Sequence, residues 1–333
     1  MHGRAAGCGE ISAAGDRIRH SAGVNDDDQL PILRSSERQR GSHEAARLPR
    51  AAARGDLVPL ARGAYVDAEA WAGLSPVSAH AVRARAVLPR LAPRFALSHA
   101  SAAAVHGLPR LAPWPERVHV TDPEARTTST RVRLVRHAGP LDEADVAEVR
   151  GLRVTSPVRT ALDLAHAEEH REAVVALDAL LHRGLVARPV LEERLAGHHR
   201  RRGRAAASRA LAASDALAES PGETLCRLVL AELGAPVPVL QQGFVVGGRR
   251  VRVDFWFAEQ GVVLEFDGHE KYAGQRLLRG RAPADVVVDE KQREDALRRL
   301  PEVRGFVRCR WWHLVEPSPV SYTHLTLPTI LRV

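Results

Sequence analysis

Three cysteines in 333 residues, Cys8, Cys226 and Cys309, stand far apart and form no C-x-x-C pair. That scarcity excludes a disulfide framework and a cysteine zinc site, and it fits a reducing cytoplasm. Aromatic residues make up only 4%, whereas Ala and Arg are plentiful, the bias of GC-rich coding DNA. No apolar run approaches the length of a membrane span. Arg4, Glu10, Asp16 and Arg17 occupy the place where a signal peptide would need an apolar stretch. The expectation is a soluble, cytoplasmic chain with no membrane partner and no internal repeat.

What the chain does hold is enough apolar residue, 45%, for a packed core in two or three domains. A net charge of +8 and an isoelectric point near 10.3 suit a polyanion partner. Arg-rich proteomes carry such charge widely, so composition alone leaves DNA as a candidate rather than a conclusion.

Residues 1–28 lack any period and are expected to be disordered or a mis-called start. A helical stretch from Ser42 to Arg54 stops at Gly55. Two β-prone runs then meet at Arg62-Gly63, which reads as a tight hairpin. Helix followed by a basic-tipped hairpin is the order of a winged helix-turn-helix, in which a helix enters the major groove and wing cations touch phosphates. Pro49 inside the helix removes one hydrogen bond and predicts a kink. Helices are expected over Pro76–Leu91, from Ser98, from Ser156-Pro157 (N-cap and first position), over Arg171–Arg183 and over Pro189–Ala196. Strands are expected at Arg117–Thr121 and Val132–Val135. The run His198-His199-Arg200-Arg201-Arg202-Gly203-Arg204 reads as a solvated linker that could touch phosphate.

At Ser220-Pro221-Gly222-Glu223 a new helix begins and the composition changes. Strands follow at Val237–Val246, Val251–Phe257 and Val262–Phe266, with turns at Gly247-Gly248 and Glu259-Gln260-Gly261. A helix from Glu290 to Leu300 and a last strand, Phe306–Arg310, complete an α/β unit. Alternation puts Val251, Val253, Phe255 and Phe257 on one face and Arg252, Asp254 and Trp256 on the other. On the next strand Glu265 and Asp267 share a face, so Asp254 can lie beside Glu265. Carboxylates crowded among Val, Leu and Phe are costly unless a cation or arginine answers them. Mg²⁺ takes such oxygens together with water and substrate phosphate. Glu223, Asp254, an acid on the next strand and Lys271 together form a phosphodiesterase constellation.

These residues resemble a known superfamily. Glu223…Asp254…Glu265-Phe266-Asp267-Gly268, Lys271-Tyr272, the run Asp289–Arg298 and Val307–Leu314 are similar to very-short-patch-repair-like endonucleases of the PD-(D/E)XK, restriction-endonuclease-like superfamily. The resemblance implies Mg²⁺ (or Mn²⁺) on Asp254 and Glu265 with Glu223 as a third acid. It also implies Lys271 as charge stabiliser, and Lys291 and Arg293 facing phosphate. One departure stands out: the superfamily Lys two residues after the strand acid is Asp267 here. Upstream, Arg62–Val66, Ala96–Ala103 and Thr155–Leu164 resemble AbiEi-type antitoxins, which implies DNA binding and a toxin protein partner. His269, beside the acidic strand, is a candidate base or phosphate donor. His99 and His106 read as packing or capping residues, and Cys226 and Cys309 as small core residues. Residues 320–333 are similar to a translated sequencing adapter and are expected to have no evolved partner.

The architecture expected is α/β: a winged helix (29–70), an α/β antitoxin-like middle domain (71–205) and a restriction-endonuclease-like α/β domain (218–317) with a central mixed sheet. The leading function is Mg²⁺-dependent DNA endonuclease, with Glu223, Asp254, Glu265, Asp267 and Lys271 catalytic and Arg62, Lys291 and Arg293 on nucleic acid. The alternative is a DNA-binding toxin–antitoxin regulator whose nuclease fold is silent. A third possibility is a module that neutralises a toxin by contact alone.

Overall fold

The computed structural model describes residues 30–35, 43–197, 203–268 and 283–315, and of residues 43–46, 283–290 and 315 the backbone only. The chain opens with β1 (Leu33–Arg34), α1 (His43–Arg54), β2 (Leu57–Ala61), β3 (Ala64–Asp67), α2 (Ala68–Ala72) and α3 (Pro76–Val87). The predicted hairpin is there, turned at Arg62-Gly63 with Gly63 at φ 68°, a left-handed conformation that glycine adopts without strain. β1 adds a third strand to it in the order β1-β3-β2. Pro49 lies within α1 rather than ending it. Ser75 caps α3 by accepting from the Ser78 N–H at 3.2 Å, and Pro76 takes the first position. At the other end of α3 the Arg34 guanidinium donates to the carbonyls of Arg85 (2.9 Å) and Ala86 (3.3 Å), which closes orphan acceptors there.

β4 (Ala96–Leu97), α4 (His99–Val105), β5 (Val118–Asp122), β6 (Ser129–Thr130), β7 (Leu134–Ala138), β8 (Val146–Val149) and β9 (Leu152–Thr155) follow. They build a six-stranded sheet, β6-β7-β5-β4-β9-β8, in which β5–β7 and β4–β9 run parallel and the rest antiparallel. One hydrophobic cluster runs from Leu60, Ala64 and Val66 of the hairpin through Val82 and Ala86 to Leu97, Val118, Val120 and Val154. The hairpin and the six-stranded sheet therefore share a core. Arg133 reinforces the join, donating to the carbonyls of Pro59 (3.1 Å) and Leu60 (2.7 Å).

α5 (Pro157–Ala167), α6 (His170–His182), α7 (Arg188–Gly197) and α8 (Arg204–Ala213) form a helical layer. Ser156 and Pro157 start α5 as the sequence predicts. Buried Arg159 holds Asp145 at 2.7 Å and Asp163 at 3.0 Å, so the charges inside this layer are answered by one another.

α9 (Pro221–Glu232), β10 (Val239–Val246), β11 (Arg249–Phe257), β12 (Val262–Asp267), α10 (Pro283–Arg298), β13 (Gly305–Arg310) and α11 (Trp311–Val315) complete the chain. Here β10-β11-β12 is an antiparallel meander and β13 joins β12 in parallel, giving a mixed four-stranded sheet. One face packs Phe255, Phe257, Val262 and Leu264 on Leu225, Cys226 and Val229 of α9. The other packs Phe244, Val253, Trp256 and Val263 against Leu297 of α10. Buried Asp178 of α6 ties α9 to the helical layer, accepting from Thr224 (2.8 Å) and Arg227 (2.7 Å). Among the described residues no helix is long and apolar enough to cross a membrane.

Candidate functional site

The face alternation expected of β11 is corrected by the structure. Val251 and Val253 pack with Trp256 on the α10 side, whereas Phe255 and Phe257 pack on the α9 side. The alternation breaks at Asp254. Opposite the break on β10, Gln241 adopts φ 53°, a left-handed conformation rare outside glycine and sustained only where surroundings impose it. The β11–β12 register begins at Phe255↔Leu264. The Asp254 carboxylate takes the next step of the ladder itself, accepting from the Phe266 N–H at 2.9 Å. The acid thus sits where the two strands part, beside the peptide that joins Glu265 to Phe266.

Glu223 reaches the same place from the first turn of α9. Ser220-Pro221-Gly222-Glu223 is a capping sequence: the Ser220 hydroxyl accepts from the Glu223 N–H at 3.2 Å and donates to the Glu223 carboxylate at 2.7 Å. The other carboxylate oxygen accepts from the Glu219 N–H (3.0 Å) and the Gln241 amide (2.9 Å). Gly222 lets the helix start press against β12, because a Cβ there would lie 1.9 Å from the Phe266 ring. Burial pushes the Glu223 carboxyl above its ordinary value, and the charges of Asp254 and Glu219 add to the rise. Burial raises Asp254 as well, against the lowering effects of the Phe266 N–H and Arg293. Cys226 is fully buried on α9; the Cys309 thiol beside it, then burial, raise its pKa well above the usual thiol range.

Glu265 is buried on β12 and its carboxylate holds Arg293 of α10 at 2.7 Å. Asp267 meets Arg310 of β13 at 3.4 Å. Arg293, expected to face phosphate, therefore answers an acid, and its guanidinium also donates to the Arg252 carbonyl at 2.5 Å. Lys291 is exposed on α10. Lys271 and His269 lie outside the described residues. Among the described residues no group of three His, Cys, Asp or Glu side chains is arranged to hold a metal ion. The carboxylate oxygens are the donor type Mg²⁺ takes; as described, Glu223 serves as a cap and Glu265 as the partner of Arg293.

A second set of cations lies on the amino-terminal unit. Arg47 and Arg50 of α1 are exposed, as is Arg62 at the hairpin tip. The Arg62 carbonyl accepts from the Arg90 guanidinium, which anchors the tip from below.

Three features were not anticipated. Gln241 and Glu219 complete the surroundings of Glu223, and their only sequence signal is proximity to a helix start and a strand. Against the middle sheet His99, the first residue of α4 and at φ 50°, stacks on His137 of β7 with ring centroids 3.6 Å apart. His137 Nε2 lies 3.1 Å from His119 Nδ1. The expectation that His99 and His106 pack holds: both are buried, and His106 donates to the Thr155 carbonyl at 2.8 Å.

Comparison with known proteins places the middle of the chain. Residues 95–213 match the family model described as the AbiEi antitoxin C-terminal domain. The uncharacterized protein MT2308 of Mycobacterium tuberculosis is 33% identical over 190 residues, 53% of this chain and 69% of the relative. The uncharacterized protein Rv2248 of the same species gives the same figures: 33% over 190 residues, 53% and 69%. The crystal structure of the RV2827C protein from Mycobacterium tuberculosis is similar with a TM-score of 0.37 and 18% identity, over 60% of this chain and 76% of that one.

Proposed function

This chain belongs to one family with the mycobacterial proteins MT2308 and Rv2248, and from that premise we propose that it is an antitoxin-type, DNA-binding regulator. The observation that carries the reading is the match of residues 95–213 to the AbiEi antitoxin C-terminal domain. The helical layer and six-stranded sheet of that region would meet a toxin protein partner. The amino-terminal helix and hairpin would meet DNA, with Arg62 at the tip and Arg47 and Arg50 on α1 reaching phosphates. Attachment of the hairpin to the middle core, through the shared cluster and Arg133, would let events at a toxin surface alter the DNA-binding unit.

The test is binding of the full chain to duplex DNA, followed by fluorescence anisotropy across salt concentrations. Arg47→Ala/Arg50→Ala/Arg62→Ala should weaken binding and flatten the salt dependence by up to about 2.7 in slope, near 0.9 for each phosphate no longer neutralised. Unchanged binding and slope would remove the amino-terminal unit from the interface.

A second reading is kept for one observation: the Asp254 carboxylate sits where β11 and β12 part, 2.9 Å from the Phe266 N–H and so beside Glu265. That reading is Mg²⁺- or Mn²⁺-dependent DNA cleavage, with Asp254, Glu265 and Glu223 as the acids. Plasmid nicking that requires the metal and disappears in Asp254→Asn and in Glu265→Gln would support it. Equal nicking by parent and variants would assign the activity elsewhere.

A further inference from the structure

We infer that the β10–β11 ribbon is a second DNA contact, which enters the major groove of a duplex with Arg249 and Arg250 reaching the phosphates on either side. This rests on the DNA-binding reading above and adds a second surface to it, on the carboxy-terminal domain.

The ribbon arises from unequal strand pairing. β10 and β11 pair from Val239↔Trp256 to Val246↔Arg249, whereas β11 pairs with β12 only from Phe255 onward. Everything on β11 before Phe255 is thus a two-stranded arm that runs past the third strand. The sheet order leaves β10 as its outer edge. The arm is stiffened from one side: Phe244, Val246, Val251 and Val253 pack with Leu297, and the Phe244 ring meets Trp256 edge-on at 5.1 Å.

Among the described residues, nothing covers the opposite side or the tip. A Cβ added at Gly243, Gly247 or Gly248 would have nothing within 4 Å. Gly247 and Gly248, at φ 56° and 78°, make the two-residue turn that a right-twisted hairpin favours. Val245, across from Arg250, is 67% exposed.

Arg249 and Arg250 follow the turn directly and, being successive on a strand, leave it on opposite faces. Both are exposed, and neither guanidinium has a hydrogen-bond or ion-pair partner among the described residues. Arg252 is different, because it already answers Glu219 at 2.6 Å.

A narrow arm with one unanswered guanidinium on each face matches a groove bounded by phosphates on both walls. The major groove, about 12 Å wide, admits a two-stranded β-ribbon.

The experiment compares the full chain with Arg249→Ala/Arg250→Ala by fluorescence anisotropy on a duplex, from about 50 to 200 mM salt. Both residues are exposed at a turn, so the fold is expected to survive, checked by an unchanged thermal midpoint. The proposal predicts weaker binding and a salt slope smaller by about 1.8, close to 0.9 for each of two phosphates. The Arg47→Ala/Arg50→Ala/Arg62→Ala variant separates the two surfaces. If that variant weakens binding while the arm variant matches the parent in affinity and slope, the arm proposal is overturned and the amino-terminal reading stands. If only the arm variant weakens binding, the arm stands and the amino-terminal surface falls. A parent that binds no duplex at all overturns both.

Discussion

The carboxylate of Asp254 accepts a hydrogen bond from the backbone N–H of Phe266 at 2.9 Å, so an acid on β11 completes the ladder at the point where β12 turns away. That bond fixes the carboxylate beside Glu265 and within electrostatic reach of Glu223. It also gives Asp254 a structural task whatever chemistry the site performs.

The close approach of α9 to β12 is tested at Gly222. In an open helix Ala is favoured over Gly by about 1 kcal/mol. Here the added Cβ would meet the Phe266 ring at 1.9 Å, and overpacking of that kind costs about 1–3 kcal/mol. The clash should win, so Gly222→Ala lowers stability by urea unfolding. Gly222→Ala combined with Phe266→Leu should recover part of the loss. A stabilised single variant would mean that α9 does not press on Phe266.

Glu223 gives a pH prediction of definite sign. Its carboxyl is raised by burial and by Asp254 in the folded state. The unfolded chain therefore releases the proton first, and the group's contribution to stability falls as pH rises through the carboxylate range. Glu223→Gln removes that dependence. The difference in stability between variant and parent should move in the variant's favour from pH 4 to pH 7, measured by denaturant titration at each pH. A difference independent of pH would show that the carboxyl titrates normally.

Buried His80 acts in the opposite direction along the pH scale. The Pro115 carbonyl, 2.8 Å from Nδ1, can only accept, so Nδ1 carries the proton and Nε2 accepts from the Ser101 hydroxyl at 2.9 Å. Burial lowers its pKa from 6.5 to about 4. Stability from this group is full above pH 6.5 and is lost as pH falls toward 4, because the unfolded chain takes the proton first. The shift corresponds to about 3 kcal/mol at most. His80→Gln should remove much of the loss of stability between pH 6.5 and 4. A parent and variant with parallel pH profiles would contradict the assignment.

Much of the fold was legible because its signals are local. Asp56–Val66 has two short β-prone runs around Arg62-Gly63, and the hairpin follows; Ser156-Pro157 and Ser220-Pro221 announce α5 and α9 through capping chemistry that acts within one turn. The acidic residues were read as a group; in the structure Asp254 lies near enough for its charge to act on Glu223, while Glu265 answers Arg293. Their arrangement was not legible, for a physical reason. Strict alternation assumes every residue takes its turn on the pleat, and the Gln241 conformation opposite Asp254 breaks it. Arg293 was placed on phosphate by the family resemblance alone; only packing of α10 on the sheet reveals its bond to Glu265. The shared core of hairpin and middle sheet was likewise hidden, since Val66 and Val120 meet only after folding.

The most direct test of the regulator reading is the affinity of the full chain for a duplex from immediately upstream of its own coding sequence, set against a scrambled duplex at physiological salt. The reading predicts a preference on the order of a thousandfold or more, as specific DNA-binding proteins show. Equal affinity for the two duplexes, with or without a toxin partner present, would contradict it.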